Sequence, residues 1–415
     1  MSDLRLEELV FDWNAQTDLA RPRRVELCDE TLRDGLQSPS IQNPPLEVKL
    51  KALHYMAELG IESANIGMPC TGPNAFAHSL ALAKEIARQR LPIRANCAAR
   101  TVRSDVEPIV EISQQAGIPI EASTFLGSSA IRALAEGWDL NVLLAHTEQA
   151  VSFAVQRGLL SMYVTEDTTR SHPDTLAKLY RTAIDAGARA LVLADTVGHA
   201  DPHGVRGLVR FVKERILKPD EPVRIDWHGH NDRGLAVANS LAAFESGAHC
   251  VHGTILGVGE RVGNAPLDQL LVNLRLLQWI NRDLHSLNDY CQLVHEHCGA
   301  PLPFNYPVMG RDAFRTSTGV HASAIAKAQE RGAAWLANRI YSGVPSDWFG
   351  RSQTIEIGPM SGRSNVIYWL RQRGLEAQEP LVNGLLEQAK RARSVLSEVQ
   401  VRQFIANHHG GEKHA

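Results

Sequence analysis

Two histidines separated by a single residue, His228 and His230, have the types and spacing needed to hold a metal ion. Side chains alternate along a β-strand with a period of two, so both imidazoles would face the same side of an extended segment. On a helix the same side chains would point about 200° apart. The preceding residues 223–227, Val-Arg-Ile-Asp-Trp, are typical of a strand. We therefore expect a divalent metal site, the alternative being two histidines that are solvated or hydrogen-bonded without a metal.

A regular alternation of strands and helices would position this pair. Short apolar runs alternate with amphipathic stretches, in which residues such as Leu50, Leu53 and Met56 recur at helical spacing. Eight such units within residues 25–282 predict a parallel α/β fold of the size of a (β/α)8 TIM barrel. An open doubly wound sheet is disfavoured because no Gly-x-Gly-x-x-Gly follows the first strand. The predicted strands are 25–28, 63–67, 93–97, 118–125, 160–164, 190–194, 223–227 and 250–255, and the predicted helices include 46–59, 76–88, 141–157, 172–186, 202–215 and 235–246.

Polar side chains cluster directly after six of the eight predicted strands. Barrel enzymes carry their active sites at the carboxyl ends of the strands, where these segments would meet. Any one segment could be an ordinary cap or turn, but together they predict an active site at this end of the barrel. The segments are 29–37, 127–129, 165–170, 195–199, 228–232 and 257–264.

The composition limits the classes of partner. The 415 residues are 44% hydrophobic and 21% charged, and the formal net charge of -3 gives no reason to expect nucleic acid or an anionic membrane as a partner. No apolar run approaches the roughly 20 residues of a membrane span, and the first residues lack the apolar core of a signal peptide. The six cysteines include no Cys-x-x-Cys pair, so we expect reduced thiols in a cytoplasmic protein.

The strand–helix alternation stops near residue 282. The following residues are mainly helical by pattern, with breaks rich in Gly and Ser at 315–321 and 358–365. Helix-like segments resume at 366–373 and 380–408. The predicted organisation is an N-terminal arm at 1–24, a barrel domain at 25–282, a helical linker subdomain at 283–350 and a small helical subdomain at 351–415.

Six short segments recur in the same order in a known family. They are 29–35 (Asp-Glu-Thr-Leu-Arg-Asp-Gly), 166–167 (Glu-Asp), 195–198 (Asp-Thr-Val-Gly), 228–232 (His-Gly-His-Asn-Asp), 257–265 (Gly-Val-Gly-Glu-Arg-Val-Gly-Asn-Ala) and 319–321 (Gly-Val-His). Together they resemble the acyl-CoA-condensing branch of the metal-dependent TIM-barrel lyase superfamily, which includes 2-isopropylmalate, citramalate and homocitrate synthases. The resemblance covers roughly residues 25–370 and implies a barrel followed by small helical subdomains. The leucine-sensing C-terminal domain of full-length isopropylmalate synthases is not expected here.

The resemblance implies that Asp34, His228, His230 and Asn264 bind a divalent Mg, Mn, Zn or Co ion. One carboxylate, two imidazoles and an amide oxygen leave positions for substrate, as in a catalytic rather than a closed structural site. Taken alone, Asn264 could instead be a helix N-cap, since an apolar helical run follows it. Asp34 could likewise be a turn residue before Gly35.

The resemblance also implies a 2-oxo acid that binds the metal through its keto and carboxylate oxygens. Arg33 would lie beside the developing alkoxide and the carboxylate, unless it forms only a surface salt bridge. Thr196 would donate a hydrogen bond to the carboxylate, unless it is another turn hydroxyl. Glu260 would hold the metal ligands in position without binding the ion itself.

Acetyl-CoA is the implied co-substrate, and its methyl group must lose a proton to a positioned base. Two residues match the family's candidates for this base, Glu166 on the barrel rim and His321 in the later helical region. Tyr341 matches a tyrosine that lies near the acyl-CoA in the family. Because the family region that carries the histidine reaches the partner barrel, the resemblance implies a homodimer with each site completed in trans.

The chain departs from the family pattern at positions that bear on the substrate. Homocitrate synthases carry an arginine four residues before the rim glutamate, where this chain has Met162, which disfavours 2-oxoglutarate. Ser323, two residues after His321, is instead closer to the homocitrate type. We expect a 2-isopropylmalate synthase-like acyltransferase of leucine biosynthesis that uses 2-oxoisovalerate, with pyruvate as the second choice.

Three other functions compete with a synthase. A lyase of the 3-hydroxy-3-methylglutaryl-CoA type carries a catalytic cysteine in the loop after the eighth strand, whereas residues 257–263 contain none. A non-haem iron oxygenase could use two histidines and one acid, but the adjacent Arg33 and Asp34 disfavour it. A non-catalytic metal-binding protein would have no need of Glu166, Thr196 and His321 together.

Overall fold

The computed structural model describes residues 9–16 and 21–411 of the chain. They form two compact units, a barrel unit within 18–301 and a second unit from the described parts of 1–17 and 302–415. Residues 1–8 and 17–20 of the predicted N-terminal arm lie outside the described residues. The described part of the arm contains a short 3₁₀ helix, Trp13–Gln16.

Eight parallel strands close into a barrel in the first unit. The strands are β1 (Glu26–Asp29), β2 (Ser63–Asn65), β3 (Arg94–Arg100), β4 (Glu121–Gly127), β5 (Leu160–Glu166), β6 (Ala190–Asp195), β7 (Arg224–Gly229) and β8 (Cys250–Gly253). β1 pairs with both β2 and β8, so the sheet has no free edge. This closure confirms the predicted (β/α)8 fold and excludes an open doubly wound sheet.

Helices follow the strands and bury their apolar faces. In chain order they are α1 (Leu46–Glu58), α2 (Pro73–Gln89), α3 (Arg103–Ala116), α4 (Ala130–Glu136), α5 (Leu140–Gln156), α6 (Pro173–Asp185), α7 (Pro202–Phe211), α8 (Ala236–Ser246), α9 (Leu267–Leu276) and α10 (Leu287–Cys298). In α6 the residues Leu176, Leu179 and Ala183 recur at helical spacing and are buried. A Leu179→Ala substitution would cost about 2–5 kcal/mol of stability. None of the described helices combines the length and the apolar composition that crossing a membrane requires.

Strand periodicity decides which side chains reach the barrel interior. On β5 and β6 the alternate residues Val164, Glu166, Val192 and Ala194 line one internal cavity. The register pairs Ala194 with His228, so the ends of β6 and β7 lie at the same level. The polar segments after the strands are therefore brought together at the carboxyl end of the barrel.

The strand ends differ from the prediction by one to three residues, most of all in β3 and β4. β3 continues to Arg100, because the small residues Ala98 and Ala99 still fit the buried barrel wall. β4 begins only at Glu121, since Pro119 in the predicted strand has no N–H to donate to a neighbouring strand.

The second unit is mainly helical. It contains α11 (Gly319–Glu330), α12 (Ala334–Ala337), α13 (Arg363–Arg371), α14 (Glu379–Arg391), α15 (Glu398–Gly411) and the two-residue strands β9 (Arg315–Thr316) and β10 (Thr354–Ile355). A cluster including Trp369, Leu381, Leu385 and Val401 forms a core.

The second unit also departs from its predicted pattern. Part of the predicted break at 315–321 is strand β9, whose partner β10 lies far along the sequence, and α11 already begins at Gly319. The predicted helical stretch 380–408 is two helices, which end and begin around residues 392–397. Pairing between distant segments leaves no local signal, which explains why the short sheet was missed.

Candidate metal centre and active site

A cavity of about 250 Å³ opens at the carboxyl ends of the barrel strands. Its polar wall is supplied by loops and strand ends that are far apart in sequence. Its lining residues are Glu30, Arg33, Asp34, Gln37, Ala98, Ser123, Phe125, Val164, Glu166, Val192, Ala194, Thr196, His228, His230, His252 and Glu260.

Asp34, His228 and His230 meet at one point of this cavity. Nε2 of His228 lies 3.1 Å from Oδ2 of Asp34, Nε2 of His230 lies 3.7 Å from the same oxygen, and the two Nε2 atoms are 3.5 Å apart. Ligand atoms held about 2.1 Å from one ion are about 3.0–3.4 Å apart, so this group could hold a single divalent ion. The Asp34 side chain caps no backbone N–H of the following turn, Gly35–Gln37, which argues against a purely local turn role.

Asn264 is held beside His230 by the loop after β8, where the two residues form an isolated antiparallel bridge. Nδ2 of Asn264 donates to the carbonyl oxygen of Val258 at 3.1 Å. This leaves Oδ1 buried and without a hydrogen-bond partner among the described residues. Helix α9 has Pro266 at its N-cap, so Asn264 is not the helix cap that the sequence also allowed.

Two glycines allow the backbone of the loop after β8 to pack closely around Asn264. Gly259 has a φ of 149°, and a Cβ there would lie 2.2 Å from Nδ2 of Asn264. Gly263 has a φ of 89°, and a Cβ there would lie 1.7 Å from the carbonyl oxygen of Gly257. A larger residue at position 259 would displace the Asn264 side-chain amide. One at position 263 would displace the Gly257 carbonyl, which accepts a 3.0 Å hydrogen bond from the backbone N–H of Asn264.

The protonation states of this group suit a metal ion. Burial acts to raise the pKa of Asp34, but the Arg33 guanidinium and the hydrogen bond from His228 hold it well below its usual range. Burial and the charge of His228 lower the pKa of His230 to about 4, which keeps this imidazole neutral. An ionised carboxylate, a neutral imidazole and an unpartnered amide oxygen are the forms that bind metal, so these residues fit a divalent ion.

Two other groups in the barrel also have the residue types of metal ligands. They share His252, which already lies 3.2 Å from Glu30 and 3.5 Å from Asp226. Burial raises the pKa of the Cys28 and Cys250 thiols well above the ordinary value, whereas a thiol must lose its proton to bind a metal. The Asp34 group is therefore the better candidate. The two groups are Cys28, Glu30 and His252, and Asp226, Cys250 and His252.

A column of buried ion pairs supports Arg33 from inside the barrel. Nη2 of Arg33 lies 2.5 Å from Oε2 of Glu30, whose Oε1 lies 3.2 Å from Nδ1 of His252. Nε2 of His252 lies 3.5 Å from Asp226, which accepts a 2.8 Å hydrogen bond from Nε of Arg224. Only 18% of the Arg33 side chain is exposed, so a surface salt bridge does not describe it.

The charges within this column compensate one another. Burial acts to raise the pKa of Glu30, but the charges of Arg33 and His252 lower it to about 2. Burial acts to lower the pKa of His252, but Asp226 and Glu30 raise it to about 9. No role was predicted for Glu30, Asp226 or His252. The spacing of Asp226 and His252 could have indicated their position in the barrel interior, because residues 226 and 228, like 250 and 252, lie on the same face of a strand.

Thr196 and Glu166 also reach the cavity. The Thr196 hydroxyl oxygen accepts a 2.7 Å hydrogen bond from the backbone N–H of Asp167, which leaves the hydroxyl proton free to donate elsewhere. Glu166 ends β5 and is half-buried. Burial raises the pKa of Glu166, and nearby Arg132 opposes this rise.

Glu260 lies at the open rim of the cavity. Among the described residues it forms an ion pair with Arg261, whose Nη1 lies 3.7 Å from Oε2 of Glu260. Arg261 also donates to both carboxylate oxygens of Asp232, at 2.8 and 3.0 Å, and to the carbonyl oxygen of Thr196 at 2.6 Å. These contacts join the loops after β6, β7 and β8 next to the candidate metal ligands. The orienting role of Glu260 stays a prediction.

His321 and Tyr341 belong to the second unit. Their rings are stacked, with centroids 3.9 Å apart and planes at 27°. His321 lies in the first turn of α11, and Tyr341 is 47% exposed. The structure thus brings together the two residues assigned to the acyl-CoA end of the reaction. Their catalytic roles stay predictions.

One wall of the cavity is apolar. Phe125, Val164 and Val192 line it, and the fully buried Met162 packs behind Val164 and Val192. Among the described residues that line this cavity, Arg33 carries the only guanidinium and no lysine is present. The arrangement suits a substrate with one carboxylate near Arg33 and an apolar tail.

Known condensing synthases are similar to this chain over most of its length. The chain is 31% identical over 379 residues to homocitrate synthase AksA of Methanopyrus kandleri, covering 91% of this chain and 89% of that protein. It is 30% identical over 374 residues to a probable 2-isopropylmalate synthase of Ignicoccus hospitalis, covering 89% and 88%. It is 30% identical over 380 residues to a putative (R)-citramalate synthase, CimA, of Methanopyrus kandleri, covering 91% and 70%.

The fold is shared with solved structures. The HMG-CoA lyase of Bacillus subtilis superposes with a TM-score of 0.57 at 20% identity, covering 69% of this chain and 97% of the lyase. The predicted resemblance to the condensing synthases and their superfamily is confirmed by these relatives. Because the HMGL-like family matches residues 24–294, which include the whole barrel and its candidate metal ligands, the chain belongs to the HMGL-like family.

Proposed function

We propose that this protein condenses acetyl-CoA with a 2-oxo acid and water to give a 2-substituted malate and CoA, with 2-oxoisovalerate as the preferred oxo acid. One observation carries the proposal: Arg33 lies beside the Asp34–His228–His230 group in a cavity with an apolar wall. The named relatives, at 30–31% identity, support this class of reaction but differ in the oxo acid.

The metal ligands in this proposal are Asp34, His228, His230 and Asn264. When bound, a divalent ion supplies the Lewis acid that polarises the keto group of the oxo acid. Arg33 uses Nε and Nη2 to bind Glu30, and its Nη1 lies 3.9 Å from Asp34. This guanidinium stabilises the negative charge that develops on the keto oxygen.

Substrate binding and proton removal fall to residues on the cavity wall. The free hydroxyl proton of Thr196 is donated to the carboxylate of the oxo acid. Glu166 removes a proton from the acetyl methyl group, because a carboxylate with a raised pKa is a stronger base than an ordinary one. His321 is the alternative base and comes with Tyr341 from the second unit, in the partner subunit of a homodimer.

The choice of oxo acid rests on the apolar wall. The isopropyl group of 2-oxoisovalerate can contact Phe125, Val164 and Val192. The second carboxylate of 2-oxoglutarate would instead lie against this apolar wall. The cationic His252 of the lining is already paired with Glu30 and Asp226, so the cost would be several kcal/mol. Pyruvate fits the same wall with fewer contacts, so it is the second choice.

The proposal is tested by following free CoA thiol in protein supplied with a divalent metal and acetyl-CoA. CoA release should depend on an added 2-oxo acid, and mass spectrometry should find the corresponding 2-substituted malate. A parallel reaction with 3-hydroxy-3-methylglutaryl-CoA tests the lyase alternative. Cleavage of its carbon–carbon bond to acetyl-CoA and acetoacetate, without any condensation, would replace the synthase by a lyase.

A further inference from the structure

A second cavity, of about 230 Å³, lies next to the catalytic cavity and shares Arg33 and Gln37 with it. It is bounded by the loop after β1, the loop after β2 and the first turns of α1 and α2. We call it the Lys49 pocket. Its other lining residues are Leu32, Leu36, Asn43, Lys49, Ile66, Gly67, Met68, Thr71, Asn74, Ala75, His78 and Ser79.

Lys49 is unusual because it is a buried cation without a counter-ion. Its residue surface is only 6% exposed, and it lines the pocket from the first turn of α1. Within the described ranges no carboxylate, hydroxyl or carbonyl oxygen lies within hydrogen-bond or ion-pair distance of it. Cys298 interacts with it electrostatically, but burial raises the pKa of this thiol to about 11, so the thiol is neutral. A partly desolvated ammonium without a counter-ion costs free energy, which a ligand of opposite charge would offset.

A helix N-terminus adds to the positive potential. Asn74 and Ala75, in the first turn of the 17-residue helix α2, line the same pocket. The helix starts at Gly72 and Pro73 with no side-chain cap and no acidic residue in its first turn. The free N–H groups and dipole of such a terminus attract anions.

The loop geometry keeps this side of the pocket closely packed. Gly67 has a φ of 144°, and a Cβ there would lie 2.4 Å from Oγ of Ser79 on α2. Ser79 Oγ donates a 3.1 Å hydrogen bond to the carbonyl oxygen of Ile66. The lining residues Asn43, Thr71 and Asn74 are exposed, so the pocket is open to solvent on one side. A small anion could therefore enter and meet Lys49 at the buried end.

We propose that the Lys49 pocket binds an oxyanion, a carboxylate or a phosphate, between the Lys49 ammonium and the N-terminus of α2. The anion is either carried by the thioester substrate or free in solution. Because Arg33 lines both cavities, an occupied pocket would also place a negative group on the far side of the catalytic guanidinium. The first source rests on the proposed function, whereas the binding site itself does not.

Binding is tested on the full-length protein with inorganic phosphate, acetate and acetyl-CoA as probes, by calorimetry and thermal unfolding. Lys49→Met removes the charge at nearly constant shape, and Lys51→Met, an exposed lysine of the same helix, is the matched control. We expect at least one probe to bind to the wild type and to Lys51→Met, and to lose affinity tenfold or more in Lys49→Met. Equal binding to all three proteins, or no binding of any probe to the wild type, would overturn the proposal.

Two further measurements guard against a folding artefact. In buffer free of these anions, Lys49→Met should unfold at a temperature equal to or above that of the wild type, because a partly desolvated charge without a partner has been removed. A clearly lower unfolding temperature would show that Lys49 is structural and overturn the proposal. In the wild type, titration with the binding probe should shift the NMR resonances of the His78 ring, and unchanged resonances would contradict the assigned pocket.

The source of the anion is decided by kinetics once condensation has been shown. If the thioester carries it, Lys49→Met should raise the KM for acetyl-CoA tenfold or more and leave the KM for acetyl-pantetheine, which lacks the diphosphate, unchanged. If the anion is free, both KM values should stay unchanged while phosphate or acetate binding is still lost. If the protein has no condensing activity, the proposed function is wrong, but the binding measurements still test the anion site in the Lys49 pocket.

Discussion

Nε2 of His228, at the end of β7, lies 3.1 Å from Oδ2 of Asp34 in the loop after β1, and Nε2 of His230 lies 3.5 Å from Nε2 of His228. If this group holds the metal, His228→Ala should weaken metal affinity by about 100-fold or more, since even outer groups of a metal site contribute 10–100-fold. Turnover should be lost with it. Bound metal, measured by elemental analysis after dialysis, checks the prediction.

The control for this variant is His203→Ala, at an exposed histidine on α7. It should keep its metal and activity. Circular dichroism should show a folded barrel in both variants. Full metal occupancy in folded His228→Ala protein would contradict the assigned ligands.

The buried pair of Glu30 and His252 should be important for stability as well as for the position of Arg33. His252→Leu leaves the carboxylates of Glu30 and Asp226 without their shared cation, so we expect a loss of about 3–5 kcal/mol in the free energy of unfolding. Denaturant unfolding measures this loss.

A matched exposed pair sets the scale for the buried one. Arg103 and Glu107 are 2.9 Å apart on the surface of α3, and Glu107→Gln should cost less than about 1 kcal/mol. Similar losses for His252→Leu and Glu107→Gln would show that the column contributes little.

The barrel could be predicted from the sequence because several independent patterns indicate the same fold. The apolar strand runs, the helical spacing of residues such as Leu176 and Leu179, and the polar strand ends all favour one fold. The pairing of His228 with His230 followed from strand periodicity alone. The three-dimensional partners of these residues did not, because Glu30, Asp226 and His252 meet only after the barrel has closed.

Other features lay beyond a local reading of the sequence. Asn264 could be a cap or a ligand, and only the position of Pro266 at the start of α9 removes the cap. The sequence does not distinguish Lys49 from the other charges of its helix, because its burial depends on loops that follow two different strands. Sequence periodicity identifies the apolar face of a helix or strand, whereas the burial of a single charged side chain depends on which distant segments pack against it.

Glu166 gives a prediction about pH. Burial raises its pKa above the ordinary 4.5, so the carboxylate that acts as base forms only at higher pH, and kcat/KM should rise with pH on this limb. Glu166→Gln should abolish the limb and most of the activity. A pH profile of kcat/KM, with substrates that do not titrate in the range, measures this.

The same pKa shift has the opposite consequence for stability. A carboxyl group whose pKa is higher in the folded than in the unfolded protein disfavours folding once the pH exceeds the unfolded value. Glu166→Gln should therefore be at least as stable as the wild type near pH 7. A less stable variant would indicate a structural role for Glu166 and weaken its assignment as the base.

Completion of the site in trans predicts complementation between inactive variants. Arg33→Ala lacks a residue of the barrel site, and His321→Ala lacks a residue of the second unit. Mixed in equal amounts and allowed to exchange subunits, they should recover up to about a quarter of the wild-type rate, because half of the dimers are hybrids and each hybrid contains one intact site. Activity of the mixture against each variant alone checks this. Arg33→Ala mixed with Glu166→Gln, both barrel variants, should show no recovery. No recovery, once mass spectrometry has verified exchange, would argue against a shared site.

The central claim is that a metal-dependent condensation takes place on an oxo acid with an apolar tail. Its most direct test is kcat/KM for CoA release from acetyl-CoA with 2-oxoisovalerate and with 2-oxoglutarate, before and after removal of metal by a chelator. We predict at least about a hundredfold preference for 2-oxoisovalerate, and loss of activity without metal that is restored when metal is added back. A protein that prefers 2-oxoglutarate, or that releases CoA equally well after the metal is removed, would contradict the account.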